Sequence, residues 1–262
     1  MENLDFIIRN MRWSYSRINS FETCKYAWFL TYIKELPSIN NFFSDYGLFI
    51  HSILEKYLKK ELSIFELVDY YENNYKKNVK CKAPPYPKGM AERYYEDGLA
   101  YLENFEGFGE LEIISVESKM RFTTEEGYEF GGYIDLIAKD TDGEYIVIDH
   151  KSSNIFKKKT TKKYGEEIVI DTTKLKGYKK QMYLYATDVK DKFGKFPKEL
   201  RLNLFRMNKE HIIPFDEQEY NETIAWANEC INSILSEKDF KEHISEYFCR
   251  QLCGVRKSCF KI

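Results

Sequence analysis

The chain has 262 residues, of which 43% are hydrophobic and 31% charged. That is enough apolar material for a sizeable core and too much for a disordered chain. The formal net charge of −2 excludes a protein held to nucleic acid by global charge, and no apolar run approaches the roughly 20 residues that span a bilayer.

The elements follow in chain order. SYSRINSFETCKYAWFLTYI (14–33) predicts a loop and then a helix, with Ser16 or Asn19 as its cap. FSDYGLFIHSILEKYLKKE (43–61) predicts a second helix, with Phe49, Ile50, Ile53, Leu54, Tyr57 and Leu58 at helical spacing. Residues 62–80 and 90–106 predict two more, separated by the Pro-rich break KAPPYPKG. The period then changes to that of strands. LEIISVESKMRFTT (111–124), YEFGGYIDLIAKD (128–140) and EYIVIDHKSS (144–153) form an expected antiparallel meander, with turns at 125–128 and 140–144. A Lys-rich loop follows, then a short strand at 167–171, a helix at 174–193, a strand at 199–207 and a helix at 215–237. The tail FCRQLCGVRKSCF (248–260) is Cys-rich and without periodicity. With no repeat and no flexible linker, residues 1–262 are read as one α/β domain. Its portions are a mainly helical 14–106, a core at 111–207 and the tail.

MENLDFIIRN lacks a signal-peptide layout, so a cytoplasmic protein with no membrane association is expected. Six cysteines in a reducing compartment then suggest thiols or metal ligands more than disulfides. Residues 151–180 carry ten Lys against three acidic residues. This local excess reads either as a solvated loop or as a patch for phosphates.

VIDHKSS (147–153) ends an apolar strand in Asp149, His150 and Lys151. Residues two apart on a strand share a face, so Asp149 and Lys151 point together and His150 points away. Folding about the 140–144 turn sets Asp135 against Asp149. Two convergent carboxylates are an oxygen-rich site for Mg²⁺ or Mn²⁺, and a neighbouring Lys can stabilise phosphate charge. A cross-strand acidic pair relieved by Lys151 is the purely structural alternative.

The run G-x-x-D in GYID, then D-x-K in IDHK, resembles the PD-(D/E)XK nuclease superfamily, and more closely its RecB-like branch. Gly47 and His51 in GLFIH match that branch's upstream Gly…His motif, and Gln181 and Tyr185 in QMYLY match its Gln-x-x-x-Tyr helix. The resemblance implies a restriction-endonuclease-like fold, a mixed central sheet flanked by helices. It implies that His51, Asp135 and Asp149 hold the metal, that Lys151 is the catalytic lysine, and that Gln181 and Tyr185 position lysine and DNA. The implied activity is Mg²⁺- or Mn²⁺-dependent hydrolysis of DNA, as an exonuclease on single strands or free ends. Lys157, Lys158, Lys159, Lys162 and Lys163 would contact phosphates. A helicase, integrase or recombination partner would be a separate chain. The rival reading is a DNA-binding or assembly module, of a recombination, replication or CRISPR-adaptation complex, with weak or no cleavage.

Cys249, Cys253 and Cys259 fall within 11 residues and suggest a metal site. Cys24, Cys81 and Cys230 are the candidates for a fourth ligand. The segment around Cys24 resembles that of the iron–sulfur RecB-like nucleases, such as the AddB nuclease domain and the CRISPR-adaptation nucleases. There one N-terminal and three C-terminal cysteines hold a 4Fe-4S cluster. This chain spaces its tail C-x3-C-x5-C where that group has C-x2-C-x5-C, and Zn²⁺ is the inorganic alternative.

Overall fold

A computed structural model describes residues 2–161, 165–241 and 245–259. Six helices come first: α1 (Glu2–Arg9), α2 (Tyr15–Thr23), α3 (Lys25–Tyr32), α4 (Phe42–Leu58), α5 (Leu67–Asn78) and α6 (Met90–Glu103). The strands β1 (Glu112–Thr123), β2 (Glu129–Lys139) and β3 (Tyr145–Lys151) follow as an antiparallel meander. A separate two-stranded ribbon, β4 (Phe156–Thr161) and β5 (Gly165–Ile170), leads into α7 (Thr172–Phe193). Then come β6 (Glu199–Leu204), β7 (Lys209–Pro214) and α8 (Glu217–Ser236). The main sheet runs β1-β2-β3-β6-β7 and is mixed, because β6 pairs parallel to β3. A parallel neighbour needs a long crossover, and α7 supplies it.

Local chemistry sets the boundaries. Asn41 caps α4 by accepting from Ser44 N–H at 3.0 Å, and Asp216 caps α8 through Glu219 N–H at 2.8 Å. Gly194 ends α7 in the left-handed region at φ 80°, where glycine carries no Cβ penalty. Asp140 closes the β2–β3 turn by accepting from the N–H groups of Asp142 and Glu144 at 3.0 and 2.9 Å.

β3 is buried on both faces, which explains its unbroken apolar run. On one face Val147 joins Ile137, Leu200 and Leu202 beneath α7 and α8, with Trp13 and Trp28 in the same core. On the other, Ile146 and Ile148 pack with Leu136 under Leu58, Phe108 and Leu111. A further aromatic-rich core joins α4, α5 and α6 to Phe205.

Four expectations need correction. The helix expected in 14–33 is two helices, broken at Cys24, whose backbone is extended (φ −159°). Ser14 caps the first, accepting from Arg17 N–H at 3.2 Å, in place of Ser16 or Asn19. Residues 62–80 begin with a 3₁₀ turn, Ile64–Glu66, before α5. The expected Lys-rich loop carries strand β4, which pairs with the expected short strand, observed as β5, in a two-stranded ribbon. Its Thr, Ile and Val favour extended backbone, but its surface lacks the apolar alternation that reveals a half-buried strand. Helix α1 and strand β7 had no expectation.

Candidate active site

The site lies where the meander opens. The β2–β3 ladder runs from Lys139–Tyr145 to Leu136–Ile148, the register expected from the 140–144 turn. Past that point the backbone groups of His150 are met by side chains instead of strand β2. Its N–H donates to Asp135 Oδ2 at 2.7 Å, and its carbonyl lies 2.8 Å from His51 Nε2. Backbone groups at the end of a ladder require partners, and here two candidate metal ligands supply them.

Because the carbonyl can only accept, His51 Nε2 is the donor. The ring's Nδ1 faces Asp135 Oδ2, 3.5 Å away: an ion pair when the ring is protonated, and two lone-pair atoms open to a cation when it is neutral. Glu117 completes the group: His51, Glu117 and Asp135 each offer a ligand atom within 4.8 Å of the others. Glu117 sits on β1 between the Val116–Leu136 and Ser118–Ile134 pairs, across from Asp135. Its φ is +50°, a strained conformation for a side-chain-bearing residue and one that recurs at functional sites. Burial raises its pKa, the Asp135 charge adds to the rise, and His51 opposes it. One nitrogen and two hard carboxylates suit a divalent cation.

Asp149, expected with His51 and Asp135 to hold the metal, is not in that group of donors and stands deeper, 1% exposed. Its Oδ2 lies 2.5 Å from Lys151 Nζ. Burial raises the Asp149 pKa, Lys151 pulls it back and Asp135 raises it further. Burial lowers the Lys151 pKa, but the charge and hydrogen bond of Asp149 more than offset this and raise it, which favours the cation. Lys151 also donates to Gln181 Oε1 at 2.9 Å, and Gln181 Nε2 donates to Tyr185 OH at 2.6 Å. Gln181 and Tyr185 are one turn apart on α7 and share its inner face. Burial, then the charges of Asp149 and Asp135, lift the Tyr185 pKa well above the ordinary phenol range. Lys151 therefore has a fixed position, a fixed charge and a donor left for a substrate oxygen.

His150 points the other way, as expected. It is 3% exposed, and burial, followed by the His51 charge, pushes its pKa down to about 3. Gly47 lies on α4 one turn before His51, with Ser152 Oγ 3.6 Å from where its Cβ would be.

Of the lysines expected at phosphates, three follow one another on β4. Lys157 is exposed on β4 and lies 3.6 Å from Asp171 Oδ1. Lys158 and Lys159 are on β4, and Lys162 and Lys163 lie outside the described residues. Among the cysteines, Cys253 and Cys259 pack with Leu30 and Val255. Burial raises the Cys253 pKa, and Cys24, Cys259 and Cys249 all lie near enough to add to the rise. Cys24 also accepts from Ala27 N–H at the start of α3. Cys81 donates to the Asn40 carbonyl, which also accepts from Arg256 of the tail, and Cys230 contacts Glu22.

Glu117 is the residue that sequence reasoning missed. An acidic side chain on a strand facing Asp135 was the available signal, but it carries no motif.

The mixed sheet with flanking helices and this donor set fit one class, the nucleases of mixed α/β fold. The chain belongs to the PD-(D/E)XK nuclease superfamily, whose family model matches residues 12–260. Among solved structures it is similar to a Eubacterium rectale protein provisionally described as an exonuclease, with 14% identity and a TM-score of 0.55. That match covers 94% of this chain and 87% of the other, and it supports the fold. A second structure, of the protein SSO0001, aligns over 81% of this chain and 96% of its own at 17% identity. Its TM-score of 0.33 is too low to carry an argument. No curated protein sequence matches the chain. No helix among the described residues is long and apolar enough to cross a membrane.

Proposed function

We propose that this protein is a Mg²⁺- or Mn²⁺-dependent deoxyribonuclease, acting as an exonuclease on single-stranded DNA or DNA ends. The observation that carries the reading is the continuous chain Asp149–Lys151–Gln181–Tyr185 beside the His51, Glu117 and Asp135 donors. A bound divalent cation would supply Lewis-acid polarisation of a phosphoryl oxygen and a water of lowered pKa. Lys151 holds its positive charge where charge develops on the phosphate. Asp149 keeps that ammonium aligned, and Gln181 and Tyr185 fix its reach. The Eubacterium rectale neighbour is described as an exonuclease, which agrees with this reading. The test is cleavage of end-labelled single and double strands with Mn²⁺ or Mg²⁺; a folded, metal-loaded protein that cuts neither sinks the proposal.

The single-strand preference draws on rings beside the catalytic lysine. Lys151 lies 5.1 Å from the Tyr178 ring, and Lys180 lies 3.6 Å from that of Trp226. Tyr15 joins the row, 6.2 Å from Trp226 and close enough to feel the charges of Tyr178 and Asp149. Bases stack on such rings once unpaired. Of three tryptophans, Trp13 and Trp28 are fully buried, so quenching of intrinsic fluorescence reports Trp226. A single-stranded oligonucleotide is expected to quench it, and duplex of equal length far less. Equal quenching by both removes the preference.

For Cys24, Cys249, Cys253 and Cys259 the proposal is a 4Fe-4S cluster clasping the tail to the α2–α3 junction, since four thiolates suit such clusters. Anaerobically purified protein is expected to carry about four irons and broad visible absorption, both lost in Cys253→Ser. Zinc in place of iron would replace the cluster with a zinc site and leave the nuclease reading intact.

A further inference from the structure

Behind the metal donors runs a buried polar chain that the catalytic reading does not use. Asn203 lies on β6, in parallel register with His150 on β3. It is 8% exposed, in a setting where a polar group persists only if bonded. Its amide nitrogen spends both hydrogens, one on Tyr101 OH at 2.8 Å and one on His150 Nδ1 at 3.0 Å. Nδ1 must then accept, so the His150 proton sits on Nε2. The ring is also packed between Phe108 and His51, at centroid distances of 5.7 and 5.5 Å.

The backbone of this same His150 meets Asp135 and His51. A displacement of its ring moves the two groups that anchor both ligands. We propose that Asn203 is a positioning residue for the metal site, acting through His150, with Tyr101 as the post that orients the amide. The inference rests on the metal-site reading above and extends it to residues that touch neither metal nor substrate. Partners bonded directly to a ligand, here the backbone groups of His150, typically change metal affinity by about 10–100-fold when lost.

The experiment is direct titration of the full-length protein with Mn²⁺, followed by electron paramagnetic resonance, without DNA. Asn203→Leu, which keeps the volume and removes the donor, is expected to raise the Mn²⁺ dissociation constant about tenfold or more. Asn203→Ala removes the donor without placing a branched apolar side chain there and is expected to do the same, which covers the case of a Leu variant that does not fold. Tyr101→Phe, which leaves the His150 bond in place, is expected to lose less. Thermal denaturation is recorded on each variant, because a merely structural role would lower the melting temperature and leave Mn²⁺ affinity unmoved. Parental affinity in a folded Asn203→Leu or Asn203→Ala protein overturns the inference alone. A parent protein that binds no Mn²⁺ overturns it together with the metal-site reading.

Discussion

Asp149→Asn is expected to lower metal-dependent DNA cleavage at least about a hundredfold, on the scale of removing one electrostatic group aimed at a transition state. Asn keeps the shape of Asp149 but cannot hold the Lys151 ammonium 2.5 Å away with an opposite charge. Lys151→Met is expected to match it, since either change undoes the same pair. Asp149→Ala carries a second cost: it strands a buried ammonium, and breaking a buried pair from one side costs about 3–5 kcal/mol. Chemistry and stability separate by comparing cleavage rate with thermal denaturation in the Asn and Ala variants. An Asp149→Asn protein that cuts at the parental rate shows that this pair is not catalytic.

Glu117→Gln is expected to weaken Mn²⁺ binding at least about tenfold, the lower end for losing a group in a metal's surroundings. The pH dependence has a definite sign. Burial and Asp135 raise the Glu117 pKa, so proton and metal compete for it at a higher pH than for an ordinary carboxylate. Parental Mn²⁺ affinity therefore rises with pH through the acid range, and Glu117→Gln flattens that rise. The metal-free protein shows the converse. A group with a raised folded pKa binds more protons folded than unfolded, so its contribution is present below the unfolded value and is lost as pH rises through the folded one. Calorimetric titration across the acid range checks both, and an unchanged profile in Glu117→Gln removes Glu117 from the site.

Much of this site was legible before any coordinates. The 140–144 turn set the β2–β3 register, and period-two alternation put Asp149 and Lys151 on one face with His150 on the other. Gln181 and Tyr185 were legible as one helix face, though the bond from Lys151 to Gln181 and on to Tyr185 was not. Strand β4 escaped because its run FKKKTT leaves no apolar alternation to read. Glu117 escaped because its role depends on a left-handed backbone within a strand, which no propensity predicts.

By itself, then, the sequence determined which residues share an element and a face, because those follow from backbone periods of 2 and 3.6. It also carried the spaced motifs from which the PD-(D/E)XK resemblance was read. Tertiary structure decided which faces meet. His51 on α4, Glu117 on β1 and Asp135 on β2 converge because two strands part and leave the His150 backbone to side chains. Such contacts arise from packing between elements distant in the chain, and no local pattern encodes them.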